Sequence, residues 1–212
     1  MAGLADRLAV RPVWAVSVAR KLRKQADRFA EPTALYSSCG ISANRSRETA
    51  MPTGNPTDAL RKHLIELLSG GSAHVNPPQV FAGWPEEARG RKPAGAAHSP
   101  WEVLEHIRIA QCDILDFSRG GDYEELNWPA DYWPESSAPP SASAWDDAVA
   151  AVKTDLAALK ALVEDPKSDL FTPFPWGDGQ TLLREALLVA DHNAYHLGEM
   201  MVLKRMLGVI GG

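Results

Sequence analysis

From Thr57 onward the apolar residues of this chain recur at three- and four-residue intervals, and no segment alternates convincingly over strand length. That pattern restricts the fold to helices packed on helices. Leu60, Leu64, Ile65, Leu67 and Leu68 mark a helix over Asp58 to Leu68, which Gly70 and Gly71 stop. A second begins at Ser99-Pro100-Trp101-Glu102, where Ser99 suits the N-cap, Pro100 the first turn and Glu102 the third position of a capping box. It runs to about Ser118 and ends at Gly120-Gly121. A third is expected from about Ser143 to Glu164, and a fourth from about Thr181 to Leu207. Between them lie a Pro/Gly-rich connection over 72–98, with a short turn near Pro78 to Trp84, and a Trp/Tyr/Pro/Ser-rich one over 121–142. A shorter loop spans 165–179. Four amphipathic helices joined by two long crossovers predict an all-α four-helix bundle over residues 57–208.

The first part of the chain reads differently. Residues 1–50 carry nine Lys/Arg against four Asp/Glu, whereas the remainder carries 13 against 23. A basic helix is expected around Arg20-Lys21-Leu22-Arg23-Lys24, followed by a Ser/Asn/Thr/Gly/Pro-rich linker from Ser37 to Thr57. Residues 1–56 are therefore expected to be a poorly ordered or partly helical extension and linker, of which residues 1–50 are dispensable. The acidic main body argues against a nucleic-acid groove, which needs Lys and Arg, and against a membrane surface. No apolar run approaches the roughly 20 residues of a membrane span. Two cysteines, Cys39 and Cys112, make no disulfide framework, so a reduced, cytoplasmic compartment is expected. Small molecules are the expected partners, with a homodimer compatible with the acidic body and an exposed apolar flank.

The chemistry concentrates on three histidines. His192 and His196 lie one turn apart on the fourth helix, so their rings share a face. His196 falls among Val189, Met200, Leu203 and Leu207, on the stripe that faces the core. His106 falls within the stripe of Val103, Ile107, Ala110, Ile114 and Phe117 on the second helix. Buried imidazoles need partners, because an unpaired buried polar group costs a few kcal/mol. A shared cation would satisfy all three, and so would separate hydrogen bonds to carboxylates or carbonyls. His63, His74 and His98 read as surface residues, and Cys112 as a small core residue. Glu199 and Glu185 fall near the histidine face, where they read either as acceptors and a general base or as an exposed flank. Trp128, Tyr132, Trp133, Phe171, Phe174 and Trp176 either line a pocket mouth or pack the loops. Asn193 follows His192 where a zincin carries Glu, which disfavours that type of metalloprotease.

The segments Ser99-Pro100-Trp101-Glu102-Val103-Leu104-Glu105-His106 and Asp191-His192-Asn193-Ala194-Tyr195-His196-Leu197-Gly198 resemble the DinB superfamily, the DinB/YfiT-like metalloenzymes. The resemblance covers about residues 57–208 and implies a DinB-type bundle in which His106, His192 and His196 bind a divalent metal. It also implies links to a stress response and, from some members, a low-molecular-weight thiol cosubstrate such as mycothiol, bacillithiol or glutathione. Three neutral imidazoles suit Zn²⁺ or Ni²⁺ and leave an open position, the setting in which water or a thiol becomes nucleophilic near neutral pH. The expected function is thus metal-dependent transfer to, or hydrolysis of, a small electrophile, with Glu199 as the candidate catalytic residue. The alternative is a non-catalytic metal- or ligand-binding stress protein.

Overall fold

A computed structural model describes residues 55–121 and 123–210. The expected basic helix and linker lie outside the described residues. Six helices follow in order: α1 (Pro56–Ser69), α2 (Pro77–Phe81), α3 (Glu86–Arg89), α4 (Pro100–Arg119), α5 (Ala144–Glu164) and α6 (Leu182–Met206). A single 3-10 turn, Ala130–Tyr132, lies between α4 and α5. The described residues contain no strand. No helix among them is long and apolar enough to cross a membrane.

Local chemistry sets the helix ends. Asn55 caps α1 by accepting the Thr57 N–H at 3.0 Å, with Pro56 in the first turn. The helix therefore starts two residues before the apolar pattern does. At α4 the capping box closes: Glu102 N–H donates to Ser99 Oγ at 3.2 Å, and Ser99 N–H donates to Glu102 Oε2 at 2.7 Å. Gly120 ends α4 at φ 70°, and a Cβ there would sit 2.5 Å from the Trp176 ring. Position and conformation thus both demand glycine. Ser143 precedes α5 but makes no side-chain cap bond.

The connection over 72–98 is more structured than its Pro/Gly content suggests. Asn76 caps α2 by accepting the Gln79 N–H at 3.0 Å, and Val80, Phe81, Trp84 and Ala88 are all buried. Lys204 of α6, itself buried, donates to the Ala82 carbonyl at 2.6 Å and the Gln79 carbonyl at 3.1 Å. Those bonds satisfy carbonyls at the end of α2 and fasten it to α6. An apolar run this short carries no readable period, which is why it passes for a turn in the sequence.

Helices α5 and α6 each pack against both α1 and α4. Among the described residues the buried apolar side chains form two clusters rather than one. The first joins Val103, Leu104 and Ile107 of α4 to Trp145 and Val152 of α5, Leu197 and Met200 of α6, and the α2 residues. The second joins Leu64 and Leu68 of α1 to Leu115, Leu159, Val163 and Val189. Each fully buried side chain of this kind contributes about 1.5–3 kcal/mol. Between the clusters, α4 carries Gln111 and α6 carries His192, Asn193 and His196. The interior has a polar waist.

Candidate metal centre

The waist brings the three histidines together. One ring nitrogen each from His106, His192 and His196 lies within 4.8 Å of the other two. Ring centroids are 4.6 to 4.9 Å apart, with the rings steeply inclined to one another. The outer nitrogens show which atoms face inward. His106 Nδ1 donates to the Tyr132 carbonyl at 2.8 Å, and His196 Nδ1 donates to Glu199 Oε2 at 2.9 Å. Both partners accept only, so both rings carry a proton on Nδ1 and turn Nε2 toward the other histidines. His192 Nε2 stands 3.1 Å from His106 Nε2. Two nitrogens tetrahedrally bound to one zinc would lie ~3.3 Å apart, given Zn–N bonds near 2.0–2.1 Å.

Burial disfavours the charged form of two of these rings. His106 and His196 are buried, and His192 is half-buried. The pKa of His192 is pushed down to about 4, chiefly by burial and then by the neighbouring His196 and His106. Burial also holds His106 below the ordinary imidazole range, with the Tyr132 carbonyl opposing. Neutral imidazoles are the ligand form. The donor set is all nitrogen, which suits Zn, Ni, Cu or Fe rather than Mg or Ca.

Two of the three histidines are held from behind. Tyr132, whose carbonyl meets His106, also donates its hydroxyl to Asp113 Oδ2 at 2.6 Å, and Tyr123 donates to Asp113 Oδ1 at 2.9 Å. This pair of bonds ties the 121–142 crossover to α4. Burial, opposed by the two hydroxyls, raises the Asp113 pKa. Glu199 binds His196, and its Oε1 lies 3.6 Å from His98 Nδ1. The bond from His196 is the main reason its carboxyl titrates below the usual range. Trp133 stacks flat on His106 at 4.0 Å and 2°, and on His98 at 3.9 Å and 19°.

Several expectations need correction. His98 is not a free surface residue, since it stacks on Trp133 beside Glu199. Glu185 is no exposed flank: it is 1% exposed and bonded by Arg184 at 2.6 Å. Cys112 is not in the core. It is partly exposed, with its thiol 3.6 Å from Asp116 Oδ2, on a cleft of about 520 Å³ that also includes Asp113 and Tyr123. The aromatics divide by loop. Tyr132 and Trp133 touch His106 and Trp128 stands 6.5 Å from it, whereas Trp176 stacks on Phe174 and donates to the Phe117 carbonyl. Gln111 escaped the sequence reading altogether. Its signal was a polar residue one turn after Ile107, on an otherwise apolar stripe.

The sequence pattern of the DinB superfamily matches residues 76–200, more than half of the chain and all three histidines. The chain belongs to the DinB superfamily. No curated protein and no solved structure matches it.

Proposed function

We propose that this protein is a divalent-metal-binding DinB protein whose four long helices, α1, α4, α5 and α6, act as a DinB-type four-helix bundle around the ion. The observation that carries the reading is the convergence of three imidazole nitrogens whose opposite ring edges are already engaged at His106 and His196. His106, His192 and His196 would hold zinc or nickel. When bound, the ion supplies Lewis acidity that makes a water or a low-molecular-weight thiol nucleophilic toward a small electrophile. The chain's own part is positioning. Tyr132 and Glu199 fix the orientation of two imidazoles, and Trp133 covers the His106 ring. Glu199 serves best as the acceptor for His196, because its lowered pKa makes it a weak base at neutral pH. The polar contacts around His196 and the stacked Trp133 also suit the second reading, a closed site in a non-catalytic stress protein.

Metal analysis by mass spectrometry of the intact chain tests the proposal. About one divalent ion per chain is expected, lost in His106→Ala, His192→Ala and His196→Ala alike. A wild-type protein that takes up no zinc, nickel or manganese on reconstitution would overturn it. With cobalt loaded, a visible spectrum shifted by an added thiol would favour the enzyme, and an unresponsive one the closed site.

A further inference from the structure

Tyr132 meets α4 at two places, with opposite ends of one residue. Its carbonyl accepts from His106 Nδ1 at 2.8 Å, and its hydroxyl donates to Asp113 Oδ2 at 2.6 Å. Asp113 follows His106 by seven residues, so it lies on the same face of α4, about 10 Å further along the axis. The buried Tyr132 side chain spans that interval. Anchored at its ring, the residue can swing its carbonyl little without breaking the phenol bond. The other oxygen of Asp113 accepts from Tyr123 at 2.9 Å, so one carboxylate takes two phenols of the crossover.

The chain leading into Tyr132 is closed by its own bonds. Asp131 N–H donates to the Asn127 carbonyl at 3.0 Å, and Tyr132 N–H donates to the Pro129 carbonyl at 3.2 Å. Asn127 N–H and Nδ2 donate back to Asp131 Oδ2 at 2.8 and 2.9 Å. A segment bonded in this way shifts as a body rather than residue by residue. The residue after it, Trp133, lies flat on the His106 ring at 4.0 Å. Displacing the Tyr132 ring would therefore disturb two contacts of His106 at once, the acceptor at its edge and the indole on its face. We propose that Asp113 is the positioning residue for His106: by holding the Tyr132 phenol, it keeps that residue's carbonyl on His106 Nδ1–H and Trp133 on the ring face. The inference rests on the metal-site reading for its purpose, whereas every bond in it is present without an ion.

The test reads the His106 imidazole and the zinc affinity separately, on the full-length protein. Tyr132→Phe removes only the phenol oxygen and keeps the ring and the carbonyl. Tyr123→Phe removes the other bond to the same carboxylate and controls for a general loosening of the crossover. In the metal-free wild type the His106 Nδ1 proton, assigned in nitrogen-15 spectra by its absence in His106→Ala, should exchange slowly with solvent. It should exchange faster in Tyr132→Phe and in Asp113→Ala. Zinc binding in chelator competition should weaken about tenfold in both, the low end of what outer-shell partners contribute. Adding Tyr132→Phe to Asp113→Ala should weaken it no further, because the bond is already gone. Tyr123→Phe should stay at wild-type values in both readings. Circular dichroism separates these effects from loss of fold, and Tyr132→Phe decides the matter if Asp113→Ala does not fold. Tyr132→Phe matching the wild type in either reading would overturn the inference, as would Tyr123→Phe weakening zinc binding equally. A wild type that refused zinc would sink the metal reading, while proton exchange alone would still decide the anchoring of His106.

Discussion

In the folded protein the His192 ring refuses a proton that the unfolded chain accepts. Its pKa is pushed from 6.5 to about 4, so between those values unfolding takes up protons. Stability therefore rises with pH across that window: it is fully present above 6.5 and is lost as the pH falls toward 4. His106, also lowered by burial, contributes with the same sign. For His192 alone the loss is on the order of 3 kcal/mol, taking 1.36 kcal/mol per pKa unit. Urea midpoints of chelator-treated protein at neutral pH and at about pH 4.5 should differ accordingly, and His192→Gln should flatten the dependence. Equal midpoints in the wild type would contradict this account.

Two further expectations belong to single helices. Gly198 lies inside α6 on its exposed side, and a Cβ built there meets nothing within 4 Å. Gly198→Ala should stabilise the protein by roughly 0.5–1 kcal/mol and leave metal content unchanged. A drop in thermal midpoint would show that the position needs glycine for a reason beyond the helix. Ser99 accepts from Glu102 N–H and donates to the Ser137 carbonyl, so Ser99→Ala removes the α4 cap and a tie to the crossover together. A loss of about 1–2 kcal/mol in urea titration is expected, and a neutral result would mean that the cap is dispensable. These same helices show how much the sequence discloses. Helical period and caps placed α4, α5 and α6 nearly to the residue, and the stripe placed His106 and His196 in the interior. The short helices α2 and α3 were hidden, because five or fewer residues hold no period. The ring stack of His98, Trp133 and His106 was hidden too, since it depends on how an irregular crossover folds back, which no periodicity encodes.

At the scale of the helical body over residues 55–210, the polar waist divides the apolar interior into two clusters, one against α2 and α3 and one against α1. Helices α4 and α6 pass the waist through Gln111, His192, Asn193 and His196, whereas α5 carries Val152 and Leu156 past it, so on the α4–α6 side the two ends are joined by polar side chains. Ends coupled this weakly can open as separate units. An ion held by His106 of α4 and by His192 and His196 of α6 would act as a rivet at the point where the interior is least cohesive. Hydrogen exchange should then distinguish the two states of the protein. Without metal, amides flanking Leu159 and Val189 and those flanking Trp145 and Met200 should exchange with different opening free energies. With zinc they should converge on one value, and identical exchange patterns in both states would show that the waist holds by its hydrogen bonds alone.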